Sequence, residues 1–201
     1  TSEVKRIPDS SGLVVTSKIV ALSEGRTVIV KDNKARERII KAESQFAMRT
    51  KYTWLTIKDG MVMSSAGVDE SNADGKIILL PKDSFKQATD IRKALMKHYK
   101  VKNLGIIISD SRLLPLRAGV VGVALGYAGF KGVRDYRGKE DLFGRKLKFS
   151  RTDVADSLAT AAVLSMGEGS ERKPLALITN PPVAFANKID KNELKIDIKE
   201  D

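Results

Sequence analysis

Two aspartates stand at positions where a carboxylate could do chemistry. Asp69 lies in Ala66-Gly67-Val68-Asp69-Glu70-Ser71-Asn72, a small-residue turn after an apolar run. Asp110 directly follows the apolar run 104–109 and precedes Ser111. A carboxylate at the end of a buried strand is held rigidly, which is how hard cations are presented with oxygen ligands. The plainer role for each is an Asx-turn or a cap on the next segment. Asn72 both donates and accepts, so it suits a nucleobase, a phosphate or a turn. Lys18 closes the apolar run 12–16 beside Ser17, where an ammonium meets a phosphate as a point charge or simply stays solvated. Arg137 and Arg145 stand among acids and glycines in Asp135-Tyr136-Arg137-Gly138 and Asp141-Leu142-Phe143-Gly144-Arg145. There they are either guanidinium forks for anions or partners in surface ion pairs worth little.

Composition narrows the chemistry. The 201 residues include no cysteine, which removes disulfides, zinc-thiolate sites and thiol nucleophiles. The one histidine, His98, rules out a multi-histidine metal site and reads as a surface residue near a helix end. Any metal must therefore sit on oxygen, as magnesium, manganese or calcium does. Neither G-x-x-x-x-G-K-[ST] nor G-x-G-x-x-G occurs, and the spacing of Gly119, Gly122 and Gly126 suits close packing better than phosphate cradling. The net charge of +11 attracts anions, and residues 131–151 hold eight basic and three acidic side chains. Aromatic residues are only 5%, too few for a base-stacking platform, so nucleic acid is not an expected partner. No run of 18 apolar residues occurs and the polar start has no signal-peptide core, so the expected compartment is the cytoplasm, without membrane contact. The chain begins with Thr1 rather than Met, so the N-terminus is expected to be trimmed or to lie outside this numbering.

Positioning these residues takes a mixed α+β fold, read as one domain over residues 1–201 with a weak seam near 80–84. Residues 12–18 read as a buried strand running into a polar turn, and 27–30 as a short strand. Residues 33–49 form an irregular helical stripe through Ile39, Ile40, Phe46 and Ala47. Residues 52–57 and 61–65 flank Lys58-Asp59-Gly60 as a hairpin. A strand at 76–80 ends at Pro81. Asp83 or Ser84 then caps a helix with Phe85, Ala88, Ile91, Leu95 and Tyr99 on one face. Residues 104–109 are the clearest buried strand, and 118–130 are apolar and glycine-rich. Thr152 or Asp153 caps a helix to Met166 with Val154, Leu158, Ala161, Ala162 and Ser165 on one face. Strands are expected at 175–179 and 194–198.

Taken in order, VVTSKIV with SEGR, SSAGVDESN, LLPKDS, IIISDS, RDYRGKEDLFGRKL and VADSLATAAVLSMGEG resemble the coenzyme F420-0:γ-glutamyl ligase family over residues 12–179. The resemblance implies a GTP- or ATP-dependent amide ligase that phosphorylates an acceptor carboxylate and then joins it to L-glutamate, with Mg2+ or Mn2+ between phosphates and protein. It implies an α+β fold of mixed sheets with a few packed helices, in an intertwined homodimer. On the family pattern Asp69, Asp110, Ser111 and Glu168 match metal positions, and Ser17, Lys18, Asn72, Gly167 and Glu168 match nucleotide positions. Asp110 and Arg117 match catalytic positions; Arg137 and Arg145 match substrate positions. Three departures are expected to matter: Leu22 replaces a second lysine, the loop 112–117 is more apolar than the family's, and the family's N-terminal segment is expected to be missing or very short. The implied acceptor is F420-0 or a relative. The alternatives are a folate acceptor, a phospholigand-binding homologue without turnover, and a nucleic-acid binder driven by charge.

Overall fold

The computed structural model describes residues 4–196. In chain order the elements are β1 (Ser11–Thr16), α1 (Ser17–Ser23), β2 (Thr27–Val28), α2 (Asn33–Ala42), β3 (Phe46–Arg49), β4 (Trp54–Lys58), β5 (Met61–Ser64), β6 (Ile77–Ile78), α3 (Ser84–Tyr99), β7 (Leu104–Leu113), β8 (Val120–Ala128), β9 (Val133–Asp135), β10 (Arg151–Asp153), α4 (Val154–Met166) and β11 (Leu175–Thr179). This is an α+β chain with mixed sheets, as expected.

The principal sheet has the order β11-β1-β7-β8. β1 and β7 run parallel up to the pair Thr16 and Ser109, where β1 ends, and the outer strands pair antiparallel. The first part of β7, residues 104–108, is buried and free of polar side chains because both faces of this sheet are covered. Val14, Ile107, Ala124 and Tyr127 face α4, through Ala155, Ala159 and Ala162. Leu13, Val15, Ile106 and Ile108 face α3, through Ala88, Ile91 and Leu95. The helices lie close because small residues meet them. A Cβ on Gly122 would fall on the Ala159 carbonyl of α4, so the close-packing reading of that glycine holds. Both long helices begin at an aspartate: Asp83 accepts from the Lys86 amide at 2.8 Å, and Asp153 from the Asp156 amide at 2.9 Å.

A second region, built from β3-β4-β5, β2-β6 and α2, closes over Ile40, Trp54, Val68, Ile77 and Leu79. Its β4–β5 turn is Asp59-Gly60, both left-handed, as the expected hairpin demands.

Several boundaries differ from expectation. Residues 17–18 open helix α1 rather than a turn. Phe46 and Ala47 leave the helical stripe and pair with β4, because α2 ends at Ala42 and the next residues find an antiparallel partner. β7 runs on to Leu113, so Asp110 lies inside a strand and not after one. On α4 the buried face is Val154, Ala155, Ala159, Ala162 and Met166, while Ala161 and Ser165 are exposed; the sheet it packs on selects the alanines. Residues 194–196 form no strand, and 197–198 lie outside the described residues. His98 is exposed in the last turn of α3, against Tyr99.

Candidate functional site

The parallel pairing of β1 and β7 decides what meets what. β1 ends at Thr16 opposite Ser109, where the parallel pairing stops and β7 runs on, so Ser17 and Asp110 arrive together. Carboxyl ends of parallel strands are a general place for ligands. Ser17 Oγ lies 3.4 Å from Asp110 Oδ1, although 93 residues separate them in the chain. A one-residue bulge shapes this edge. Ile108 pairs with Gly126 and Ser109 with Ala124, so Leu125 is extra in β8. The Ala124 amide donates instead to Asp156 Oδ1 of α4 at 2.8 Å. Such a bulge bends its own strand and interrupts the ladder, here opposite the Ile108–Ser109 step, one residue before Asp110.

The opposite wall carries Asp69. Its turn is strained: Ser65, Ala66 and Gly67 have φ of +50°, +54° and +69° in succession. Thr56 holds this run, its hydroxyl accepting from the Ala66 amide at 2.8 Å and donating to the Met63 carbonyl at 2.7 Å. Gly67 is required twice over, because its φ is positive and a Cβ would strike the Leu80 side chain. Asp69 is then pinned through its backbone to Ile78 at 2.8 and 3.0 Å. Backbone strain that the surroundings enforce gathers at functional sites.

Between these walls lies a cleft of about 560 Å3. Ser17, Lys18, Asp69, Asn72, Asp110, Ser111, Gly167 and Glu168 all line it. Asp69 accepts from the Ser71 amide at 2.7 Å and the Ser71 hydroxyl at 3.0 Å, and pairs with Lys18 Nζ at 2.7 Å. Burial pushes its carboxyl up, but Lys18 and Ser71 outweigh burial and hold it below the ordinary value. Asp110 shows the reverse. Burial pushes it up to about 6, the Asp69 charge adds to that, and Arg112 and the Ser111 amide only partly offset it. Asn72 Nδ2 reaches the Gly169 carbonyl at 3.3 Å and so joins the Asp69 loop to the segment after α4.

Two residues here had no clear signal in the sequence. Ser109 lines the cleft with its hydroxyl buried and unpartnered. It reads as the last apolar-run residue, and only its alternation with Ser111 along β7 hints at a cleft-facing role. Arg112 lies two residues beyond Asp110, with Nη1 3.2 Å from the Val62 carbonyl and Nε buried without a partner. Burial lowers its pKa, and the Asp110 charge opposes that.

The sequence profile of the F420-0:γ-glutamyl ligase family matches residues 2–180. The chain belongs to that family. The coenzyme F420:L-glutamate ligase of Methanococcus maripaludis strain C7 is 37% identical over 198 residues, covering 89% of this chain and 79% of the relative. The enzyme of the same name from Methanocaldococcus jannaschii is 43% identical over 130 residues, covering 65% and 52%. That from Archaeoglobus fulgidus is 30% identical over 197 residues, covering 89% and 79%.

Three residues singled out in this family member lie away from the cleft. Arg117 is exposed in the connection between β7 and β8. Arg137 and Arg145 lie in the exposed loop between β9 and β10. The Arg137 guanidinium is doubly bonded to Asp135, at 2.6 and 2.9 Å, which also holds the Asp135 carboxyl down to about 2. The Asp141 carboxylate accepts from the amides of Phe143 and Arg145, both at 2.9 Å, which shapes this loop as a turn. No described helix is long and apolar enough to cross a membrane.

Proposed function

We propose that this chain is a nucleotide-dependent ligase that joins L-glutamate to the carboxylate of F420-0. One observation carries the reading: Asp69, Asp110, Ser17 and Lys18 converge in one cleft from segments far apart in the chain. The names of the relatives favour F420-0 over a folate as acceptor.

The cleft residues fit a magnesium or manganese ion brought by phosphates. Two carboxylates lining one cleft, with the unpartnered Ser109 hydroxyl lining it as well, are oxygen donors suited to a hard cation. Among the described residues no three His, Cys, Asp or Glu side chains form a metal cage. Magnesium usually takes one or two carboxylates and completes its shell with water and substrate phosphates. Asp69 and Asp110 would hold it, with Ser111 and Glu168 at the same cleft. The bound ion would supply neutralisation of phosphate charge.

The protein's own task is positioning. Lys18 and Ser17 meet the triphosphate, and Asn72 and the 167–168 turn hold the nucleotide, GTP or ATP. An acceptor carboxylate oxygen attacks the γ-phosphorus, and the bond to the bridging oxygen breaks to release the diphosphate. The neutral amine of glutamate attacks the acyl carbon, the C–O bond to phosphate breaks, the nitrogen's proton leaves with the phosphate, and the amide remains. The chain acts as a single ligase domain in a homodimer. The exposed side chains of Leu142, Phe143 and Phe149 (97%, 94% and 86%) lie beside Arg145, and a second copy covering them turns Arg137 and Arg145 toward substrate anions. Arg117 reaches the reacting carboxylate in the same assembly.

The test is release of GDP or ADP with L-glutamate and F420-0, read against reactions lacking either substrate. Release that needs both supports the ligase. Nucleotide binding without release leaves a non-catalytic phospholigand-binding homologue.

A further inference from the structure

Lys18 occupies the place on Asp69 that a cation would take. Its ammonium has three hydrogens, and three acceptors surround it: Asp69 Oδ2 at 2.7 Å, the Ser71 carbonyl at 2.9 Å and the Ser71 hydroxyl at 2.9 Å. Ser71 in turn gives its amide and hydroxyl to Asp69. The three residues form a closed set in which every strong donor is used. The set is accessible, since the Lys18 and Asp69 side chains are 24% and 42% exposed at the cleft. With Lys18 in place, the Asp69 charge is neutralised, so this carboxylate offers no net charge to a divalent ion.

We propose that Lys18 is a tethered cation that keeps divalent metal off Asp69 until a nucleotide arrives. The inference rests on the ligase reading above and adds an order of events to it. A triphosphate gives the Lys18 ammonium a more highly charged partner than a single carboxylate. When Lys18 turns to the phosphates, Asp69 becomes free for the metal that the same phosphates bind. Metal and nucleotide are therefore coupled through one side chain, and the coupling is reciprocal. The strained turn at 65–67 keeps Asp69 in reach of both partners, so the exchange needs only the Lys18 side chain to move.

The experiment measures Mn2+ binding by the loss of the free-ion paramagnetic resonance signal. It compares wild type, Lys18→Met and Lys18→Arg, with and without non-hydrolysable GTP or ATP analogues. Lys18→Met keeps length and removes charge, and Lys18→Gln serves if Lys18→Met fails to fold by circular dichroism. Lys18→Met binds free Mn2+ about tenfold more tightly than wild type and binds nucleotide about tenfold more weakly. Lys18→Arg stays near wild type for free Mn2+. In wild type the nucleotide tightens Mn2+, and in Lys18→Met that coupling shrinks. A merely structural lysine would not move the two affinities in opposite directions. Equal affinity of wild type and Lys18→Met for free Mn2+, with nucleotide still tightening Mn2+ in both, overturns the blocking role and leaves the ligase reading intact. No binding of Mn2+ with either nucleotide analogue in any variant overturns both.

Discussion

The end of β7 and the loop between β9 and β10 carry similar chemistry in different frames. In β7, Asp110 sits one residue past the last pair with β1 and is still paired with Val123 of β8, next to a core whose Ile106, Ile107 and Ile108 are fully buried. Its carboxyl is shaped by that burial and stands at about 6. In the loop, Arg137 is exposed and already satisfied by Asp135, so its strongest partner is two residues away. A polar residue in a packed frame has few alternatives and keeps its geometry without a ligand. A polar residue in an open loop pairs locally and needs another surface to become a site. The difference separates residues that this chain positions alone from those that it offers to a partner or substrate.

The sharpest way to break the comparison is Asp110→Asn. Turnover should fall about 10^3-fold or more, as for loss of a preorganised charge at a phosphoryl-transfer site. The fold should survive. The folded chain binds the Asp110 proton more tightly than the unfolded chain, so this residue costs stability as pH rises from 3.8 to about 6, and the cost is fully present above that. Asp110→Asn never ionises, so at pH 7 its melting temperature should equal or exceed that of wild type. A clear drop in melting temperature would show that Asp110 is a structural cap.

The loop is tested by Arg137→Lys, which keeps charge and loses the bidentate fork. If the loop meets substrate, KM for glutamate or F420-0 should rise about tenfold with little change in melting temperature. Mixing Arg137→Ala with Asp110→Asn sharpens this. Recovery of activity that neither variant has alone would show that the loop serves the cleft of a second copy. Unchanged KM in Arg137→Lys would return the arginine to a surface ion pair.

A third test moves into the packing that steadies β8 beside the cleft. Gly122→Ala places a methyl group on the Ala159 carbonyl of α4, and should cost about 1–3 kcal/mol by denaturant unfolding. Gly138→Ala in the loop meets no atom within 4 Å, although its φ of +79° makes alanine strained there too. The alanine at 122 should therefore be the more damaging of the two.

The smallest effect concerns Glu43, outside both regions. Burial pushes its carboxyl up, but Lys58 and Arg26, at 2.8 and 2.7 Å, outweigh that and hold it below 4.5. Its contribution is present above the unfolded value and is lost as pH falls through the lower folded value. Glu43→Gln should cost about 1 kcal/mol at pH 7, and less as acid protonates the wild-type carboxylate. A difference that stays constant down to pH 3 would remove the charge from the explanation.

Local chemistry was legible wherever a short segment decides its own structure. The Asp83 and Asp153 caps, the Asp59-Gly60 turn and the apolar run 104–109 all follow from side-chain and backbone preferences within a few residues. The motifs around Asp69, Asp110 and Lys18 were legible as candidates for the same reason, because residue type states what chemistry is available. Their meeting was not legible. Ser17 reaches Asp110 only because β1 and β7 pair in parallel, and Asp110 faces the cleft at a bulge made by Leu125 on a third segment. Lys18 reaches Asp69 only because α1 begins where a turn was expected. The sequence by itself determined which groups this protein has and the local elements that hold them. The tertiary structure decided which of those groups share a cleft, because strand pairing and register are set by contacts between residues far apart in the chain.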